Sequence, residues 1–136
     1  MSSKPLRIYI AGPYSAPSMS EIEENTKRAI RAGIAVLLKG HYPYIPHLTH
    51  FVDLLSKEEG IPLRWEDYID WDLTWIRLCD ALLYLGDSRG ARLELEYAKR
   101  LGKKIFTRLD DIPQLQSRLH NLQRHKKSSK IHARTQ

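Results

Sequence analysis

Ala81-Leu82-Leu83-Tyr84-Leu85-Gly86-Asp87-Ser88-Arg89-Gly90-Ala91-Arg92-Leu93-Glu94 holds an apolar run, a polar loop containing two glycines, and the opening of a longer amphipathic stretch. The run Ala81 to Leu85, ended by Gly86, reads as a buried strand. Ser88 is a natural N-cap, and Ala91 to Leu101 reads as a helix closed by Gly102, with a further strand at Lys104 to Thr107. A strand, a helix and a strand in such close succession form a crossover unit, in which the two strands run parallel.

The same alternation extends toward the N-terminus. Leu6 to Ala11 is a first strand ended by Gly12-Pro13. Ser20, with Glu23 three residues on, has the form of a capping box, opening a helix whose apolar residues recur through Ile30, Ile34 and Leu38 to a stop at Gly40. Tyr42 to Ile45 reads as a second strand and Thr49 to Ser56 as a short helix. Trp65 to Cys79, free of proline and glycine, carries apolar residues at helical spacing and is expected to be largely buried. Ile112 to Gln123 is the last expected helix. The pattern predicts a single α/β domain over residues 1–116, doubly wound in the flavodoxin-like or Rossmann-like manner. Its mainly parallel sheet should have about four to five strands, with helices on both faces. Residues 117–136 are expected to form a basic helix end and tail.

Composition sets bounds on what such a domain does. At 136 residues with 42% hydrophobic and 28% charged, the chain can build a core without disulfides or metals. The apolar runs, about five residues long, fall far short of the roughly 20 that a membrane span requires. Met1 to Pro5 leads straight into a strand-like run, so no secretory leader is expected, and the lone Cys79 fits an inert core thiol in a reducing cytoplasm. The net charge of +6 is uneven. Arg118, Arg124, Lys126, Lys127, Lys130 and Arg134 lie between Ser117 and Gln136 with no acidic residue, leaving the body with 16 basic and 16 acidic groups. A nucleic-acid partner is therefore expected only through the tail, and a membrane partner not at all.

In a doubly wound sheet the ligand crevice lies beyond the carboxyl ends of the strands. Here these ends are Gly12 to Ser15, Pro46 to His50 and Gly86 to Glu94. Ser88 and the loop amides at the start of a helix favour an anion, with Arg89 or Arg92 able to add charge, and Glu94 is expected to stay ionised there. Asp72 lies among Trp71, Leu73, Trp75 and Ile76, where a carboxylate must find a partner or rise in pKa; either suits acid–base work. Asp80 is expected to bind backbone amides. Tyr9 reads as core and Tyr14 as a loop aromatic. His47 and His50 have a spacing open to a metal, but no Cys or carboxylate cluster completes the set, so lining the crevice is the better reading for one of them. No metal and no cofactor are expected. Walker and G-x-G-x-x-G patterns do not occur, which excludes the corresponding NTPase and dehydrogenase classes.

These residues together resemble the nucleoside 2-deoxyribosyltransferase superfamily, particularly its small bacterial and phage members. The resemblance rests on Ile8-Tyr9-Ile10-Ala11-Gly12-Pro13, on Asp72 and Asp80 eight apart, and on Ser88-x-Gly90-x-x-x-Glu94-x-x-x-Ala98 followed by Gly102-Lys103, and runs from about Leu6 to Phe106. It implies that Glu94 attacks the anomeric carbon or stabilises its oxocarbenium-like transition state. It further implies that Asp72 handles the proton of the leaving base, that Tyr9 positions the nucleophile, and that Gly12 and Pro13 pack around the ligand. Tyr14, His47, Ser88 and Gly90 complete the expected binding residues. Superfamily transferases acting on free deoxynucleosides have an acidic residue where this chain has Ser88; members hydrolysing nucleoside 5'-monophosphates have a serine. A serine hydroxyl accommodates a phosphate dianion that a carboxylate repels, which favours a nucleotide N-glycosidase over a base-exchanging transferase. The first loop departs from the phosphate-binding pattern, with Pro13-Tyr14-Ser15-Ala16-Pro17 in place of a Gly/Ser/Arg-rich stretch. The expected partner is a small nucleoside or nucleotide, and the expected assembly a homodimer or higher homo-oligomer. A non-catalytic nucleotide-sensing domain is the rival reading.

Overall fold

The computed structural model describes residues 4–122. Four strands form one parallel sheet: β1 (Arg7–Ala11), β2 (Tyr42–Tyr44), β3 (Ala81–Tyr84) and β4 (Lys104–Phe106), in the order β2-β1-β3-β4. Tyr9 pairs with Tyr44 on one side and Leu82 on the other, so β1 is flanked along its length and Ile8, Tyr9, Ile10 and Ala11 are all buried. Helices α1 (Met19–Leu38), α2 (His50–Glu58), α3 (Trp65–Leu78) and α4 (Arg89–Arg100) make the connections. This is the expected doubly wound α/β fold.

Side-chain alternation divides the core into two layers. Ile8, Ile10, Ala81 and Leu83 face α1, together with Phe106 and Ile112. Tyr9, Ala11 and Leu82 face α3 and α4, meeting Ile76, Cys79 and Ala98. The chain after β1 thus goes to one face and the chain after β3 to the other, which opens a crevice between the carboxyl ends of these neighbouring strands.

Three local expectations are corrected. The cap of α1 is Ser18, whose side chain accepts the Glu21 amide at 3.2 Å, and not Ser20. The stripe that α1 buries is Thr26, Ala29, Ala32, Gly33 and Val36, while Ile34 is 51% exposed. Small residues are needed there because the helix lies close to its neighbours: a Cβ on Gly33 would stand 2.3 Å from Ile45 Cδ1. Finally, residues 112–117 are not helical, and a helix begins only at 118. Their backbone is used elsewhere, with Leu115 N–H donating to Lys39 O at 2.8 Å and Pro113 O hydrogen-bonded to the buried His41 ring at 2.6 Å. Gln123 and the rest of the basic tail lie outside the described residues. Among those described, no helix is long and apolar enough to cross a membrane.

Candidate active site

A cavity of about 450 Å³ opens at the carboxyl ends of β1 and β3, within the size range of small-molecule sites. Gly12, Tyr14 and Ser15 line it from the loop after β1, Pro46 and His47 from the turn after β2, and Ser88, Gly90, Ala91 and Glu94 from the start of α4. A further wall is a stripe of α3, formed by Trp65, Tyr68, Ile69 and Asp72. Their spacing of three, four and seven residues puts them on one helix face, with about 10 Å between the first and last by helical rise. This corrects the expectation of a largely buried α3. Only its later turns reach the core, through Ile76, and Trp71 and Trp75 remain partly exposed.

Glu94 and Asp72 meet in this cavity. Glu94 occupies the buried stripe of α4 between Ala91 and Ala98 and is 5% exposed. The Tyr9 hydroxyl, completely buried beneath it, donates to Glu94 Oε2. Asp72 Oδ1 is buried without a hydrogen-bond partner among the described residues. Burial raises the Asp72 pKa to about 7, with the Glu94 and Tyr9 side chains opposing that rise. Burial, then repulsion from Asp72, pushes Glu94 well above the usual carboxylate range, and Tyr9 likewise stays a protonated donor because it is buried and beside Glu94. The expectation that Glu94 stays ionised by virtue of the helix start is therefore corrected: burial and the neighbouring Asp72 favour its protonated form. Glu94 sits in the second turn of α4, beyond the reach of the helix-start field, and the two carboxylates titrate as a pair that retains one proton near neutrality.

This pair has a stability consequence with a definite sign. An acid raised from 3.8 to about 7 keeps its proton in the folded chain over a range in which the unfolded chain has lost it. Stability therefore falls as pH climbs from about 4 to about 7 and is lowest above that window. Asp72→Asn is expected to raise the unfolding free energy at pH 8 by roughly 2–4 kcal/mol and to change it little at pH 4. Denaturant unfolding of both proteins at the two pH values checks this; an identical gain at both would show that the buried charge is not the cause.

The remaining expected residues fall in several roles. His47 is buried, and its Nε2 lies 3.1 Å from both Gly12 O and Pro13 O, so this nitrogen carries the proton and pins the loop after β1. Burial lowers its pKa and keeps it neutral, although the two carbonyls oppose the shift. Pro13 contributes this carbonyl and packs beside Gly86, next to the cavity and not on its wall. Gly12 allows β1 and β3 to close up: a Cβ there would meet Leu85 Cβ at 3.1 Å. Ser88 caps α4, its Oγ accepting the Ala91 amide at 3.1 Å, and Arg89 lies over the Trp65 ring at 4.4 Å. Arg92 turns away to Asp87. His50 is hydrogen-bonded to the Tyr14 hydroxyl at 2.8 Å, so the two histidines engage different partners and do not converge on one point. Asp80 accepts the Arg7 amide at 2.8 Å and pairs with its guanidinium, a structural tie away from the cavity. Asp53, Lys57, Trp65 and Tyr68 line the cavity but were not singled out by the sequence reading. Trp65, Tyr68 and Asp72 shared a visible helical stripe; Asp53 and Lys57 look like an ordinary ion pair four residues apart.

A family model described as a domain of unknown function, DUF7768, matches residues 6–108, which take in the whole sheet and every cavity residue named above. The chain belongs to this family. No curated protein matches the DUF7768 chain. Among solved structures it is similar to a 2-desoxiribosyltransferase from Leishmania mexicana, at 30% identity and a TM-score of 0.43, over 74% of this chain and 62% of that one. The DUF7768 chain thus spans less than two thirds of the length of that structure.

Proposed function

We propose that the protein cleaves the N-glycosidic bond of a nucleoside 5'-monophosphate, with Glu94 as nucleophile and Asp72 as acid. The observation that carries this reading is the buried carboxylate pair with its Tyr9 hydrogen bond, in a cavity large enough for a nucleotide. A shared proton gives the two groups different tasks. The Tyr9 hydrogen bond favours the charged form of Glu94 against its burial, so the reacting arrangement has the pair's proton on Asp72 and an ionised Glu94 that attacks the anomeric carbon. The carbon–nitrogen bond breaks with its electron pair going to the base, and Asp72 supplies the proton that the departing nitrogen takes up. Water then attacks the glycosyl ester, giving its proton to Asp72 and releasing the sugar phosphate, which restores the starting pair. Ser88, the first amides of α4 and Arg89 are the groups proposed to hold the phosphate.

Incubating the protein with a panel of nucleosides and their 5'-monophosphates, and measuring free base, tests the reading. Base release from monophosphates is the expected result. Release that requires a second base as acceptor would make the protein a transferase, and binding without release would make it a sensor. The rate should follow a bell-shaped pH profile, since both the doubly protonated and the doubly ionised pair lack one of the two roles.

A further inference from the structure

Helix α2 is built inside out. His50, Asp53 and Ser56, three residues apart along it, turn inward, whereas Phe51 at 64% and Leu55 at 53% exposure point outward. An amphipathic helix normally does the reverse. At the centre of the inward face, the Asp53 carboxylate lines the cavity and is fixed at both oxygens: the Tyr68 hydroxyl donates to Oδ1 at 3.0 Å, and the Lys57 ammonium lies 2.8 Å from Oδ2. The Tyr14 phenol and the Thr49 side chain line the same cavity, with Tyr14 tied to His50.

We infer that this inward face reads the leaving base, and that Asp53 with Lys57 selects a base of the guanine type. The inference rests on the N-glycosidic reading above. Each carboxylate oxygen keeps a lone pair beyond the one its protein partner uses, and the ammonium keeps donors beyond the one given to Asp53. Lys57 and Asp53 therefore offer a donor followed by two acceptors. The matching edge has an acceptor followed by two donors, which is O6, N1–H and the 2-amino group of guanine. Hypoxanthine lacks the last donor, adenine reverses the first two positions, and uracil or thymine has an acceptor in place of the third. Asp53 and Lys57 lie on α2, whereas Ser88 and Arg89 lie at the start of α4, so base and phosphate have separate walls.

The test measures base release by the wild type and Asp53→Asn from the 5'-monophosphates of guanosine, inosine and adenosine. Calorimetric binding of the same nucleotides to Glu94→Gln and to the Glu94→Gln/Asp53→Asn double variant runs alongside. Guanine is expected to be preferred over hypoxanthine by about 10- to 100-fold, and the preference to collapse in Asp53→Asn, whose amide places a donor against a donor. Tyr68→Phe, which frees Oδ1, should weaken the preference in the same direction by a smaller factor and serves if Asp53→Asn does not fold. Base release with an unchanged guanine-to-hypoxanthine ratio in these variants would overturn the inference while leaving the reaction intact. An Asp53-dependent guanine preference in binding, with no base release from any substrate, would keep the recognition and overturn the reaction. Absence of binding by all three nucleotides would overturn the inference.

Discussion

Glu94→Gln is expected to lose base release by at least about 1000-fold in kcat/KM while the protein stays folded. Glutamine has the volume of glutamate, and its carbonyl oxygen can still accept the Tyr9 hydroxyl, so the packing of α4 against β1 is preserved. What it lacks is the carboxylate charge that the proposed mechanism directs at the anomeric carbon. The variant also removes one of two buried carboxylates that repel each other, so its unfolding free energy above pH 7 should equal or exceed that of the wild type. Single-turnover assays with a monophosphate, together with denaturant unfolding, separate these effects. Activity within tenfold of the wild type would remove Glu94 from the chemistry altogether.

Ser88→Asp is expected to reduce cleavage of monophosphates by roughly 10- to 1000-fold and to spare free nucleosides. Aspartate caps a helix as well as serine does, so the amide of Ala91 keeps a partner and α4 keeps its start. The new charge, however, would stand against a phosphate dianion at the same helix terminus. A neutral nucleoside meets no such repulsion, and its 5'-hydroxyl can donate to the carboxylate. The ratio of the two activities is the quantity to measure. Equal loss for both substrates, or a wild type that prefers nucleosides, would exclude the phosphate role and favour the transferase.

The order of strands and helices was legible because short apolar runs ended by glycine or proline have few other readings. The positions of caps and buried faces were less so. Ser18-x-x-Glu21 and Ser20-x-x-Glu23 overlap as capping boxes, and only the extended backbone at Ser18 decides between them. Weighting large apolar residues pointed to Ile34, whereas close packing against Ile45 selects Gly33 and the alanines. In the site, Asp72 stood out as a carboxylate among apolar neighbours on a helix, and Glu94 as one near a capped helix start. The Tyr9 hydroxyl looked like core because it is core, and only the resemblance gave it a task. Asp53 was hidden for a different reason: apolar periodicity turns α2 the wrong way round, and nothing local in the sequence shows a helix facing a cavity with its polar side.

The five residues of β1 place Tyr9 on the layer that α3 and α4 cover and Ile8 and Ile10 on the opposite one. A slip of one residue in that strand would bring an isoleucine under Glu94 and send the phenol toward α1. The carboxylate would then be left buried with neither a donor nor a route to water. Misregistered chains therefore lose the proposed site as well as stability, and a fluorescent or radiolabelled ligand of that site would count correctly threaded molecules in a refolded sample. On the proposed reading, folding fidelity and base release are one measurement.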